Sequence, residues 1–297
     1  MKASSLIANK NISFLLKGSP GFGKTLAAAS FALEGPVYLS YWDKSQPVEL
    51  ITFFTEKRFG KLAKTILDNI EYEVFGSSNA HEYLNKMIGF RDDCRYVAII
   101  NDSLTRMTSC AVNWSLNFGK ESKERKKIKD ILPDFDEYKV ETSLISQCID
   151  IGIKLPCHVI WTAHPVPSLK IDGSGSSMRV SKSNPIVTYG SKVAGMVPGS
   201  FTEIYHFSQQ TDFSTGKISK KYIVNTEAVG DEYAKSPLLG DYVKEFDITD
   251  KLFYSVWKDL IAKAREVNQP KEMTDETTVK EQQSASTLTN PFNEKKW

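Results

Sequence analysis

Gly18-Ser19-Pro20-Gly21-Phe22-Gly23-Lys24-Thr25 decides how the rest of this chain is read. It matches G-x-x-x-x-G-K-[ST], the phosphate-binding loop, at every fixed position. Ile12-Ser13-Phe14-Leu15-Leu16 precedes it as a short apolar strand. Leu26-Ala27-Ala28-Ala29-Ser30-Phe31-Ala32-Leu33 follows as an alanine-rich helix closed by Gly35-Pro36. Strand, glycine loop and helix in that order give the pattern its mechanism. Glycines reach backbone angles other residues avoid, so successive N–H groups converge on phosphate oxygens at the positive end of a helix. All eight residues from Gly18 to Thr25 are therefore nucleotide-binding candidates. Lys24 would reach the β- and γ-phosphates of ATP, and the Thr25 hydroxyl would coordinate Mg²⁺. With glycine at about 7% of residues, the fixed positions recur by chance in roughly one chain in a hundred of this length.

Outward from the loop, Val37-Tyr38-Leu39-Ser40-Tyr41 reads as a second strand with Trp42-Asp43 at its end. Residues 45–69 are mostly helical by pattern, 71–75 alternate like a short strand, and a helix follows around 79–88. Tyr96-Val97-Ala98-Ile99-Ile100-Asn101-Asp102-Ser103 is an unbroken apolar run ending in an acid, the signature of a strand buried on both faces of a parallel sheet. Residues 104–135 read as a polar, lysine-rich insertion. From Asp136 the pattern turns helical, with Val140, Leu144, Cys148 and Ile151 on one face. A further buried strand, His158 to Ala163, ends at His164-Pro165. Residues 165–200 read as a long loop around the tract Gly173-Ser174-Gly175-Ser176-Ser177. Two strands, 201–207 and 219–224, and a last helix over roughly 250–266 complete the pattern. Strands alternating with helices predict a three-layer α/β fold with a mostly parallel central sheet and a C-terminal antiparallel extension. The expected division is a core over 1–248, a helix over 249–267 packed on or beside it, and a disordered polar tail over 268–297.

The totals fit that picture. The 297 residues are 41% hydrophobic and 25% charged, with a net charge of +2, so any nucleic-acid contact must come from locally concentrated basic residues. Cys94, Cys110, Cys148 and Cys157 make no C-x-x-C pair and read as buried free thiols of a reducing compartment. No apolar run approaches ~18 residues, which predicts a cytoplasmic protein without a membrane span.

Asp102 ends its strand beside the phosphate loop, where a carboxylate would hold the Mg²⁺ shell. Hydrolysis needs a group that orients water, and Asp43 ends the strand next in sequence; Glu49 is the other candidate. His164 ends the strand after that of Asp102, where a polar side chain would face the γ-phosphate. The basic run Lys120 to Lys129 reads either as a solvated helix face or as phosphate-backbone contacts. Trp114, Phe118 and Tyr138 lie near it as base-stacking candidates or core residues.

The order of these parts resembles the phage-type RecA-like P-loop nucleotide-binding proteins, an AAA-type family that includes single-strand annealing recombinases of the Sak kind. The resemblance covers about residues 10–240 and rests most on "PCHVIWTAHP" and "KVAGMVPGSFTEIYHF". It implies a RecA-like NTPase core, an ATPase using ATP and Mg²⁺, and action on single-stranded DNA in recombination, annealing or replication. It makes His164 the γ-phosphate sensor and 165–199 a DNA-contacting loop. It also implies a homo-oligomer in which a basic finger, from among Lys217, Lys220, Lys221 and Lys235, reaches a neighbour's nucleotide. The family carries a catalytic glutamate where this chain has Trp42-Asp43, and Ser103 rather than an acid follows Asp102. The tail ending in Asn290-Pro291-Phe292-Asn293-Glu294-Lys295-Lys296-Trp297 is read as an inert terminus or as a docking point for a single-stranded-DNA-binding or replisome protein. The rival expectations are another ATP-driven DNA machine (helicase, helicase loader or packaging ATPase) and a P-loop NTPase or kinase with no nucleic-acid role. For a phage-encoded protein, the cytoplasm is that of the host cell.

Overall fold

The structure, a computed structural model, describes residues 11–43, 46–118, 133–165, 168–172, 179–183, 186–188, 190–212, 219–228 and 233–268. The first half of the chain runs β1 (Ser13–Gly18), α1 (Lys24–Ala29), β2 (Val37–Tyr41), α2 (Val48–Phe53), α3 (Glu56–Phe59), α4 (Lys61–Asp68), β3 (Ile70–Val74), α5 (Glu82–Asp92), β4 (Ala98–Asp102) and α6 (Leu104–Phe118). The second half runs α7 (Phe135–Gly152), β5 (His158–Ala163), β6 (Ser168–Asp172), β7 (Arg179–Ser183), α8 (Ser191–Met196), β8 (Glu203–Asp212), β9 (Ser219–Asn225), β10 (Glu245–Asp247) and α9 (Phe253–Asn268).

Eight strands form one sheet in the order β10-β9-β8-β1-β5-β4-β2-β3. The six from β8 to β3 are all parallel, and β9 and β10 continue the sheet antiparallel. Parallel strands need crossovers, and their helices cover both faces, which is why β1, β2 and β4 are buried along their whole length. Side chains alternate between two apolar layers. Leu15, Tyr38, Ile99 and Trp161 pack toward Tyr83 and Met87 of α5 and Leu144, Ile145 and Cys148 of α7. Phe14, Leu16, Leu39, Ile100 and Ile160 pack on the other side, toward Ala27 and Ala28 of α1, Ile66 of α4, and Trp257 and Ile261 of α9. The result is an α/β fold with helices on both faces of a mostly parallel sheet. Because β1, β2, β4, β5 and β8 are parallel, their carboxyl ends, with Gly18, Asp43, Asp102 and His164, lie along one edge.

The closing helix is part of this packing. The Tyr254 N–H donates to Ser30 Oγ at 2.9 Å, directly behind α1, and Trp257 Nε1–H donates to the Tyr205 hydroxyl at 3.0 Å. Tyr205 in turn donates to the buried Glu203 carboxylate at 2.8 Å, which also takes hydrogen bonds from the Ser236 hydroxyl and the Leu238 N–H.

Three expectations are corrected. Residues 104–118 are not part of a polar insertion: they form α6, whose Leu104, Met107, Cys110 and Ala111 are buried against α7. Residues 165–200 are not an unbroken loop, since β6 and β7 pair antiparallel from Ser168↔Ser183 to Asp172↔Arg179 and α8 follows. Of the four cysteines, Cys94 is only partly buried. The lysine-rich run 120–129, the tract 173–178, Lys217 and the tail beyond 268 lie outside the described residues. No helix among the described residues is long and apolar enough to cross a membrane.

Candidate functional site

The glycine loop leaves β1 at Gly18 and enters α1 at Lys24. Gly18 is pressed against β8: a Cβ there would sit 2.5 Å from the Phe207 carbonyl oxygen. Gly21 and Gly23 have φ of 80° and 86°, in the left-handed region where glycine is favoured, and a Cβ on either would meet no atom within 4 Å. The loop is thus tight at its root and open on the side that would receive a ligand.

Lys24 folds back into the loop. Its Nζ donates to the carbonyls of Gly18 at 2.7 Å and Ser19 at 3.0 Å, and lies 3.2 Å from His164 Nδ1. Burial lowers its pKa to about 8, with the charges of Asp102 and Asp43 pulling the other way. His164 Nδ1 is also 3.3 Å from the Gly18 carbonyl oxygen. Burial and then the Lys24 charge hold the imidazole below its ordinary pKa, which favours the neutral ring accepting from Lys24. The His164 N–H donates to Thr105 Oγ1 at 3.0 Å, fixing the end of β5 against the start of α6.

Asp102 occupies the centre. Thr25 Oγ1–H donates to its Oδ2 at 2.7 Å, and the Thr162 hydroxyl of β5 donates to Oδ1. Burial raises its pKa to about 6, while the bonds from Thr162 and Thr25 act against the rise. The peptide from Asp102 to Ser103 is cis. Ser103 Oγ–H donates to Asp43 Oδ1 at 3.0 Å, and the Trp42 N–H donates to the Asp102 carbonyl at 2.7 Å, so Asp43 is tied to the end of β4. Glu49 of α2 is held a short way off, accepting from the Tyr41 hydroxyl at 2.6 Å.

Lys24, Thr25, Asp43, Glu49, Asp102 and His164 line one cleft of about 520 Å³. Its opposite wall comes from α2 and α3 and from the turn between β10 and α9. There Arg58 lies 4.1 Å from the centroid of the Phe53 ring and pairs with Asp250 at 2.7 Å. Phe53 and Leu252 on that wall, with Leu26 of α1, give the cleft an apolar lining of the kind that covers a flat organic group.

The sequence-derived candidates Lys24, Thr25, Asp102, Asp43 and His164 come together here, with Gly18 and Ser19 supplying carbonyls to Lys24 and Pro20, Gly21 and Gly23 forming the rim. Phe22 turns away to pack against the apolar layer behind α1. Lys220 and Lys221 are exposed and Lys235 is partly buried, its backbone bridged to Ile204. Trp114 is not a free stacking surface, because it is partly buried and stacks on His81 with ring centroids 5.0 Å apart. Sequence reading missed Thr162, Ser103 and Thr105, which orient Asp102, Asp43 and His164. Hydroxyls at strand ends and at the start of the helix that follows carry no signal until the order of strands is known.

The oxygens at Thr25 and Asp102 suit a hard divalent cation. Among the described residues no cluster of three or more His, Cys, Asp or Glu is gathered. One carboxylate and one hydroxyl, with the remaining positions left to water and phosphate, is how Mg²⁺ is commonly held. A scan against protein-family models gives no match to this chain, and a search of curated proteins gives none either.

Proposed function

We propose that this chain is a P-loop NTPase of RecA-like type that binds and hydrolyses ATP with Mg²⁺ and acts on single-stranded DNA in recombination, annealing or replication. The observation that carries the nucleotide reading is the 2.7 Å hydrogen bond from Thr25 to Asp102, which joins the last residue of the glycine loop to a strand-end acid 77 residues away. That acid lies on β4, separated from β1 by β5 alone.

Thr25 and Asp102 would hold Mg²⁺, which supplies charge neutralisation at the phosphate oxygens. Lys24 exchanges the carbonyls of Gly18 and Ser19 for phosphate oxygens, and the loop N–H groups bind the remainder. Asp43 orients the attacking water, held by Ser103. His164 loses its Lys24 neighbour when that ammonium turns to a phosphate, and so reports occupancy to the segment after β5. Phe53, Arg58 and Leu252 enclose the base. A basic finger from a neighbouring copy, drawn from Lys220, Lys221 or Lys235, would complete the site in an oligomer.

The DNA reading is supported on the elements that follow β4 and β5. Phe135, 74% exposed at the start of α7, lies with Tyr138, Lys139 and Lys192 along a groove of about 610 Å³ between α7 and α8. Lys139 sits 4.3 Å from the centroid of the Phe135 ring while also pairing with Asp136. Aromatic faces beside lysines are a surface on which bases stack and phosphates are neutralised.

The test is ATP turnover by the wild type and Lys24→Ala, with and without a single-stranded oligonucleotide, at two salt concentrations. The reading expects turnover that Lys24→Ala abolishes and oligonucleotide affinity that falls steeply with salt. Equal turnover in the two proteins would remove the nucleotide reading. Turnover without any oligonucleotide binding would leave an NTPase with no nucleic-acid role.

A further inference from the structure

At the other end of the same strands, away from the cleft, two thiols face each other. Cys94 lies in the segment between α5 and β4, and Cys157 immediately precedes β5. The two strands are parallel neighbours in register from Ala98↔His158, and the His158 N–H donates to the Val97 carbonyl at 3.0 Å just above the pair. Their sulfurs are 3.6 Å apart. Cys157 is 4% exposed, whereas Cys94 is only partly buried and so can meet a solute. We propose that Cys94 and Cys157 form a redox-active dithiol that closes reversibly to an intramolecular disulfide on reaction with a small disulfide such as oxidised glutathione.

The geometry separates an attacking and a resolving thiol. The hydrogen bond with Cys157 lowers the Cys94 pKa to about 7 against the effect of burial, with the Tyr96 carbonyl also adjacent and the Asp93 charge opposing. Thiolate is the reactive form, so Cys94 is the sulfur that meets the oxidant. Cys157 is held in the thiol form, first by the same hydrogen bond and then by burial. The Cys94 thiolate attacks one sulfur of oxidised glutathione, forming a mixed disulfide and releasing one glutathione thiolate. Cys157 then gives its proton to solvent and attacks the Cys94 sulfur, forming the Cys94–Cys157 bond and expelling the second glutathione. Two protein thiols are oxidised and one glutathione disulfide is reduced to two thiols. Joining sulfurs already in contact needs side-chain rotation at two residues, one of them near the surface, to reach the ~2.05 Å of an S–S bond. Cys110 and Cys148 lie inside the apolar layer, raised by burial, and serve as internal controls.

The pair lies at the strand ends opposite Asp102 and Thr162, so its chemistry is read without nucleotide. Reduced full-length protein is incubated with oxidised glutathione, quenched by alkylation, and followed by intact mass and peptide mapping. The expected product has lost two titratable thiols, retains no glutathione, joins the peptides of Cys94 and Cys157, and returns to the starting mass with dithiothreitol. Cys157→Ser should stop with one glutathione on Cys94, and Cys94→Ser should react at least tenfold more slowly. Glutathione that stays on Cys94 of the wild type would overturn the proposal. So would a bond to Cys110 or Cys148, or a wild-type rate equal to that of Cys94→Ser. The wild-type map decides the matter even where Cys157→Ser fails to fold.

Discussion

Replacing Thr25 by valine keeps the branched shape of the side chain and deletes one hydroxyl. In the folded chain that hydroxyl donates at 2.7 Å to a carboxylate only 3% exposed, leaving Thr162 as the other hydroxyl donor to Asp102. Hydrogen bonds to charged groups contribute about 1.5–3 kcal/mol, and the burial of Asp102 leaves little water to replace the lost donor. A cost of about 2 kcal/mol to the nucleotide-free protein follows, or roughly 4–8 °C in melting temperature at 2–4 °C per kcal/mol. The second effect is on ligand. Wild type at a concentration of ATP·Mg²⁺ a hundredfold above Kd gains about 2.7 kcal/mol; a hundredfold weaker variant at the same concentration gains only ~0.4 kcal/mol. Thermal melts with ATP, with and without magnesium, separate the two effects. The expected outcome is a lower baseline for Thr25→Val and a magnesium-dependent rise that collapses. A variant that melts like wild type and keeps its full magnesium-dependent rise would refute the assignment of Thr25 and Asp102 as a linked pair.

Gly18→Ala forces a Cβ to 2.5 Å from the Phe207 carbonyl oxygen and should cost about 3 kcal/mol by urea unfolding, whereas Gly21→Ala, with no atom within 4 Å, should cost only the ~1 kcal/mol of its positive φ. Equal losses would mean that β1 and β8 are not packed as described. Asp43→Asn should reduce turnover by roughly 10²–10⁴-fold while nucleotide affinity changes little, and Glu49→Gln should have a small effect; the reverse pattern would move the water-orienting role to Glu49. His158, lowered below its ordinary pKa by burial against the opposing Glu34 charge, accepts from the Ile12 N–H at its Nδ1 and stays neutral in the folded chain. The unfolded chain takes up that proton below about 6.5. Stability is therefore fully present above that value and lost as pH falls through the lower folded pKa. Urea midpoints between pH 7.5 and 5.5 should show a shallower acid slope for His158→Gln than for the wild type, with His164 acting in the same sense and the buried Asp102 carboxyl, whose pKa is raised, in the opposite one; parallel slopes would show that His158 is not buried neutral.

The parts legible in the sequence are those where one physical requirement dominates a short stretch. β2, β4 and β5 are read from unbroken apolar runs because a parallel sheet covered on both faces admits little else. The glycine loop is read because its backbone angles and close approaches restrict residue type at fixed spacing. α6 was hidden because Thr105, Arg106, Thr108 and Ser109 interrupt an apolar stripe that becomes visible only once Leu104, Met107 and Ala111 are seen to meet α7. The β6–β7 hairpin was hidden by the glycine and serine tract between its strands, which reads as loop whether or not the flanks pair. In the cleft, the charged residues were legible and the hydroxyls that aim them were not. Ser103, Thr105 and Thr162 gain their meaning from strand adjacency, and nothing local records that β5 lies between β1 and β4.

The cover behind the glycine loop comes late in the chain. Ribosomes deliver Phe14, Phe31, Tyr205 and Phe207 before they deliver Phe253 and Trp257, the aromatic side chains of α9 that close over them. A nascent polypeptide halted short of Phe253 therefore presents a broad greasy face to its surroundings, and transiently bare surfaces of that kind are where self-association begins. Fragments designed to end at β10 should enter inclusion bodies instead of yielding a smaller working protein, and recovery of a soluble, monomeric fragment would show that α9 is dispensable as a lid.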